Sequence, residues 1–118
     1  MKDGEHIEYF DSGEISSKIN YLDGKRNGLS IYYYMIGVIL SKSFYLDDEF
    51  HGESIIYYEN GEISYKYNYL YGEKHGEHIE YYKSGEIKYR FYYINGKYVT
   101  KLGWISYNRN IKLELLGL

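Results

Sequence analysis

Cysteine, proline, alanine and glutamine are all missing from this 118-residue chain. Without cysteine there is no disulfide and no thiol chemistry, and the redox compartment is left open. The missing alanine and proline, which need GC-rich codons, fit an AT-rich gene and say nothing about activity. Long apolar runs are missing too: the longest, Ile31 to Leu40, is too short to cross a bilayer. Met1-Lys-Asp-Gly-Glu is not a secretory leader, so the expectation is a soluble, cytoplasmic or otherwise intracellular protein. A strong positive charge is also absent. A net charge of -3 argues against nucleic acid as a partner, because nonspecific phosphate binding needs clustered Lys and Arg.

What is present is a period. Glycine returns at Gly4, Gly28, Gly52 and Gly76, which divides the chain into units 4–27, 28–51, 52–75 and 76–99 without insertion or deletion. The fourth place of each unit is isoleucine (Ile7, Ile31, Ile55, Ile79) and the sixth tyrosine (Tyr9, Tyr33, Tyr57, Tyr81). The seventh is also aromatic. Glycine follows at Gly13, Gly37, Gly61 and Gly85, isoleucine at Ile15, Ile39, Ile63 and Ile87, and tyrosine at Tyr21, Tyr45, Tyr69 and Tyr93. Residues 100–118 read as a degenerate fifth start, around Trp104 to Asn110, followed by a capping tail.

Apolar places two apart, as in Ile63, Tyr65, Tyr67 and Tyr69, carry the period of a pleated strand with one buried face. Asp11-Ser-Gly-Glu and Lys83-Ser-Gly-Glu between the two runs of a unit suggest a tight glycine turn. Asp23-Gly-Lys-Arg-Asn-Gly and Tyr71-Gly-Glu-Lys-His-Gly suggest a longer connection between units. The expected fold is therefore all-β, an antiparallel meander with two strands per unit. Its stability comes from neighbours packing on neighbours, so one unit alone should not fold.

Gly76, Tyr81, Tyr82, Gly85, Tyr93 and Gly96 resemble the glycine and aromatic positions of MORN repeats, in the shorter-consensus variant of bacterial and viral proteins, some described as antitoxin components. The resemblance spans residues 4 to about 99 and rests on fourfold recurrence. It implies an elongated, twisted hairpin array used for protein interaction or scaffolding, with membrane or phosphoinositide contact in some members. It carries over no catalytic residue.

No enzyme emerges from the residues either. Ser12 and Ser84 sit in turns, and Glu14, Glu62 and Glu86 recur at one turn place rather than as a poised acid and base. Gly-rich phosphate cradles need a helix start that hairpin turns do not supply. His6 with Glu8 and His78 with Glu80 share faces in identical Glu-His-Ile-Glu segments, but two ligands do not make a metal site. His51 beside Asp47 and Asp48, or His75 near His78, do no better. No cofactor or metal is expected.

The functional reading is a binding module. Tyr34, Tyr58 and Tyr82, with Phe10 and Tyr92, are expected to form an aromatic stripe, a composition that suits protein recognition. Unit 2 departs from its siblings towards apolar residues: Met35, Ile36 and Val38 in the turn, Leu40 and Phe44 in the second strand, Tyr32 for Glu8 on what reads as the same face, and Leu29 and Phe50 at the borders. One-sided drift of this kind marks an interface, with a protein partner, a homodimer or the chain's own tail as occupant. The alternative is an anionic ligand or membrane surface on Lys18, Lys42, Lys66 and Arg90, a recurring basic row on the face opposite Ile63 and Tyr65. Four cations in an acidic chain make a weak field, and a solvated edge is the simpler explanation.

Overall fold

The computed structural model describes residues 3–118. Its strands are β1 (Gly4–Tyr9), β2 (Ile15–Leu22), β3 (Lys25–Tyr33), β4 (Ile39–Leu46), β5 (Glu49–Tyr57), β6 (Ile63–Leu70), β7 (Glu73–Lys74), β8 (Gly76–Tyr81), β9 (Ile87–Ile94) and β10 (Lys97–Val99). One helix, α1 (Lys101–Leu115), follows. The strands form one antiparallel sheet in chain order, with β7 pairing β6 just ahead of β8. The meander expected from the period is what the chain builds.

Turn lengths are the reverse of those expected. Leu22 pairs Lys25 and Leu46 pairs Glu49, so the connections between units are two-residue turns. Both central residues have positive φ, as at Asp23 (51°) and Gly24 (79°), which is the type I′ geometry that matches strand twist. The strand then continues through the polar residues that follow, where the sequence suggests a longer loop. Within each unit, Tyr9 pairs Ile15 and Tyr57 pairs Ile63, leaving five residues closed by bonds such as Tyr58 N to Glu62 O at 2.8 Å.

Successive units are tied forward at two further places. In three of the two-residue turns an N–H reaches back to the preceding unit: Asp48 N donates to Arg26 O at 2.9 Å, and Gly72 N to Phe50 O and Gly96 N to Lys74 O, both at 2.8 Å. The histidine closing units 2 and 3 accepts from the same turn, His51 Nδ1 from Tyr71 N at 3.1 Å and His75 Nδ1 from Asn95 N at 3.2 Å, whereas Asn27, closing unit 1, donates its Nδ2 to Asp47 Oδ1 at 3.3 Å. Asp3 accepts, as the histidines do, from Asp23 N at 2.8 Å. Ring packing repeats with the same step, since Arg26, Phe50 and Lys74 cover Tyr45, Tyr69 and Tyr93 at 4.3, 4.9 and 5.0 Å.

The molecule measures 56 × 40 × 21 Å, so most of the sheet is a single layer without a second sheet against it. Among the described residues the buried hydrophobics are Ile79 and Tyr92, with Ser17, Ser30, Ser54, Ser64 and His78 as buried polar residues. The isoleucine expected to be core in every unit is 39% exposed at Ile7 and 8% at Ile79. Stability in such a layer rests on cross-strand side-chain pairs and ladder hydrogen bonds.

The tail differs from the fifth repeat start expected around Trp104 to Asn110. Thr100 caps α1, its hydroxyl accepting from Gly103 N at 3.1 Å. Trp104 stacks on Tyr92 at 6.3 Å and meets His75 edge-on at 5.7 Å. The helix therefore caps unit 4, its neighbour in sequence, and leaves unit 2 uncovered.

Candidate functional site

Strand register defines two faces. Ile7 pairs Lys18, Lys18 pairs Ile31, and the series runs on through Lys42, Ile55, Lys66 and Ile79 to Arg90. Direct partners share a face, so the basic residues do lie in one row, with an isoleucine between each. Neighbouring cations are two strands apart, roughly 9.5 Å. Arg90 Nε is already 3.6 Å from Glu77 Oε2, and Lys42 Nζ lies 6.0 Å over the Tyr57 ring. The row is real but diluted.

On this same face unit 2 carries its apolar departures. Leu29 pairs Phe44 and Ile31 pairs Lys42, and alternation along β4 puts Leu40 with Lys42 and Phe44. Met35 and Ile36, each 67% exposed, stand with Val38 in the turn at the end of the hairpin. Phe44 is 46% exposed. Tyr32 is a correction: it pairs Ser41, one place out of step with Phe44, and so belongs to the opposite face. Phe50 is there too, stacked between Tyr45 and Tyr69 at 4.8 and 4.9 Å. Alternation within one strand does not say which residues face together across two; register does.

The aromatic stripe is also resolved differently. Tyr34 donates its hydroxyl to Tyr57 O at 2.7 Å, and Tyr58 donates to Tyr81 O at 2.5 Å. These are ties between units, and the hydroxyl is spent inside the array. Tyr82, in the last unit, is 50% exposed, and Tyr92 is only 7% exposed beneath Trp104.

The opposite face is the more aromatic one. Tyr65 and Tyr67 stack at 5.5 Å and Tyr89 and Phe91 at 6.0 Å, with His78 between Tyr67 and Tyr93 at 4.9 and 4.7 Å. Burial lowers the His78 pKa, and its Nε2 donates to Asn68 O at 3.1 Å. The Tyr67 hydroxyl is pushed up to about 12, mainly by burial. In units 2 and 3 the floor is serine (Ser41, Ser43, Ser54) below Tyr32, Tyr45, Phe50 and Tyr67, a shallow groove of about 240 Å³. The signal for that floor in the sequence is that Ser41 and Ser43 stand where Tyr65 and Tyr67 stand one unit later.

Two further carboxylates are committed locally. Asp48 Oδ1 accepts from Arg26 N at 2.7 Å and Nε at 3.1 Å, which holds its carboxyl below the ordinary value. Glu80 is lowered first by a Tyr65 hydrogen bond and then by Lys88, whose Nζ is 3.3 Å away. Among the described residues no three His, Cys, Asp or Glu side chains converge as metal ligands, and no helix is long and apolar enough to cross a membrane.

Against known families, the sequence matches the MORN repeat variant at residues 2–23, 50–71 and 74–98, more than half of the chain. The chain belongs to the MORN repeat variant family. No curated protein matches it. MORN repeats are non-enzymatic modules generally involved in protein and membrane interactions. The matched segments leave out residues 24–49, which contain most of unit 2. That MORN unit nevertheless forms the same hairpin, with the same pairing of Ile31 to Lys42 and a bulge in the same place as its siblings.

Proposed function

We propose that this MORN protein is an intracellular, non-catalytic adaptor that binds a protein partner through unit 2. The observation that carries the reading is that unit 2 departs from the family pattern while keeping the family hairpin. Its changed residues, Met35, Ile36, Phe44 and Leu29, lie at the turn and on one face of β3 and β4, and sibling units make the same hairpin with polar residues at most of these places, so the fold does not call for apolar ones there. An apolar strip on an open single-layer sheet is costly to leave in water and favours an interface.

The test replaces Met35, Ile36 and Val38 by Asp, Asn and Glu, the kinds of residue the sibling turns use. Circular dichroism should keep its β-sheet signal while proteins retained by the immobilised chain, quantified against wild type, fall at least tenfold. Unchanged retention, or loss of folding, would reject the reading. Sedimentation with anionic vesicles addresses the basic row: salt-sensitive binding that disappears with Lys42→Ser and Lys66→Ser would move the function to a membrane surface instead.

A further inference from the structure

Trp104 shows how this face receives an aromatic side chain. It stacks on Tyr92, and its Cη2 stands 3.8 Å from where a Cβ on Gly76 would be. Asn68 forms the other side of the seat, its Nδ2 donating to Glu77 O at 3.0 Å. Asn, Gly and an aromatic residue, in adjoining strands, thus make a flat place for an indole.

The same three places recur two units earlier. Asn20 Nδ2 donates to Leu29 O at 2.8 Å, Gly28 has φ 91° against 102° at Gly76, and Phe44 stands where Tyr92 does. Gly28 pairs Tyr45 as Gly76 pairs Tyr93, and Leu29 pairs Phe44 as Glu77 pairs Tyr92. One difference makes this seat more apolar, leucine for glutamate. Another leaves it open: Phe44 is 46% exposed where Tyr92 is 7%, and a Cβ on Gly28 would meet only the Asn20 Cβ within 4 Å.

We propose that the Asn20, Gly28 and Phe44 seat binds an amphipathic helix of a partner protein, one that presents an aromatic residue as α1 presents Trp104. In α1, apolar residues follow at Tyr107, Ile111 and Leu115, with Lys101 and Lys112 along one flank of that stripe. Charge favours the same design in the partner. Glu5, paired with Asn20, and Glu53, paired with Asn68, bracket the Leu29 and Phe44 pair on this face, so Lys or Arg belongs beside the apolar stripe. The inference rests on the unit 2 reading and names its partner class.

The probe is a fluorophore-labelled peptide of residues 100–118, titrated into the full chain and followed by anisotropy. The chain's own α1 is tethered at its seat, and a tether confers an effective concentration in the millimolar range, so added peptide goes to the open seat. One-site binding is expected, weakened at least tenfold by Phe44→Asn or Leu29→Glu in the protein and by Trp104→Ala in the peptide. Both protein variants restore residues that sibling units already carry. Absence of saturable binding, binding indifferent to Phe44→Asn, or binding lost with Tyr92→Asn instead would overturn the proposal. A dimer of the chain alone that Phe44→Asn dissolves would put a second copy in the seat and overturn it too. The turn substitutions of the preceding test should change peptide affinity less than twofold, so the two ideas fail separately.

Discussion

The hydroxyl of Tyr34 donates to the carbonyl of Tyr57 at 2.7 Å, bonding one hairpin to the next across 23 residues of sequence. Tyr58 repeats the bond to Tyr81. Phe10, at the same place in unit 1, has no hydroxyl to give. Tyr82 has no following hairpin of its kind among the described residues. Position in the array, not residue type, decides what this tyrosine is worth.

Tyr58→Phe should therefore lower stability by about 0.5–1.5 kcal/mol, the usual net worth of one such hydrogen bond. Tyr82→Phe should change it by less than about 0.5 kcal/mol, as for an ordinary surface position. Urea denaturation of the two variants checks the contrast, and equal effects would deny the tie.

Trp104 is the sole tryptophan and reports on its seat. Tyr92→Asn should shift its emission to the red and reduce helical circular dichroism. Trp104→Ala should cost about 1.5–3 kcal/mol, the range for a large side chain removed from an apolar contact. An unchanged spectrum in Tyr92→Asn would show that α1 docks by some other contact.

Phe44→Asn should fold at least as well as wild type. An asparagine there would stand as Asn20 and Asn68 do, whose side chains donate to the carbonyl of the next strand, and one such bond contributes about 1 kcal/mol. A melting temperature more than a few degrees below wild type would mean that Phe44 supports the sheet rather than facing a partner.

Acid should destabilise the protein in two stages. His78 has its pKa lowered by burial, so the unfolded chain binds the proton more readily; its contribution is complete above the unfolded value, about 6.5, and declines as pH falls through the folded value. Asp48 and Glu80 are lowered as well, and their contributions are present above about 4 and fade as pH falls through their folded values. His78→Phe should flatten the first stage and leave the second, measured by chemical denaturation at stepped pH.

The period made the hairpins readable because every unit repeats its isoleucine, tyrosine and glycine places in step. The turns differ from the expectation because Asp23-Gly24 and Tyr71-Gly72 close the chain by themselves, and the polar residues that follow them are strand, not loop. Helix α1 was hidden by Gly103-Trp-Ile-Ser-Tyr, which imitates the opening of a unit. Thr100 as its cap, and Trp104, Tyr107, Ile111 and Leu115 at helical spacing, were the signals against that imitation. Tyr32 and Phe44 lie on opposite faces because cross-strand register, which a single sequence does not display, pairs Tyr32 with Ser41 and Phe44 with Leu29.

Because each bond between hairpins reaches only to the next one, a whole 24-residue unit can be inserted or removed without disturbing the others. The sheet then behaves as a ruler. The Phe44 and Tyr92 seats are four strands apart, roughly 19 Å, and one more unit between them would add roughly 9.5 Å. Copy number sets distance while the chemistry at each mark stays the same.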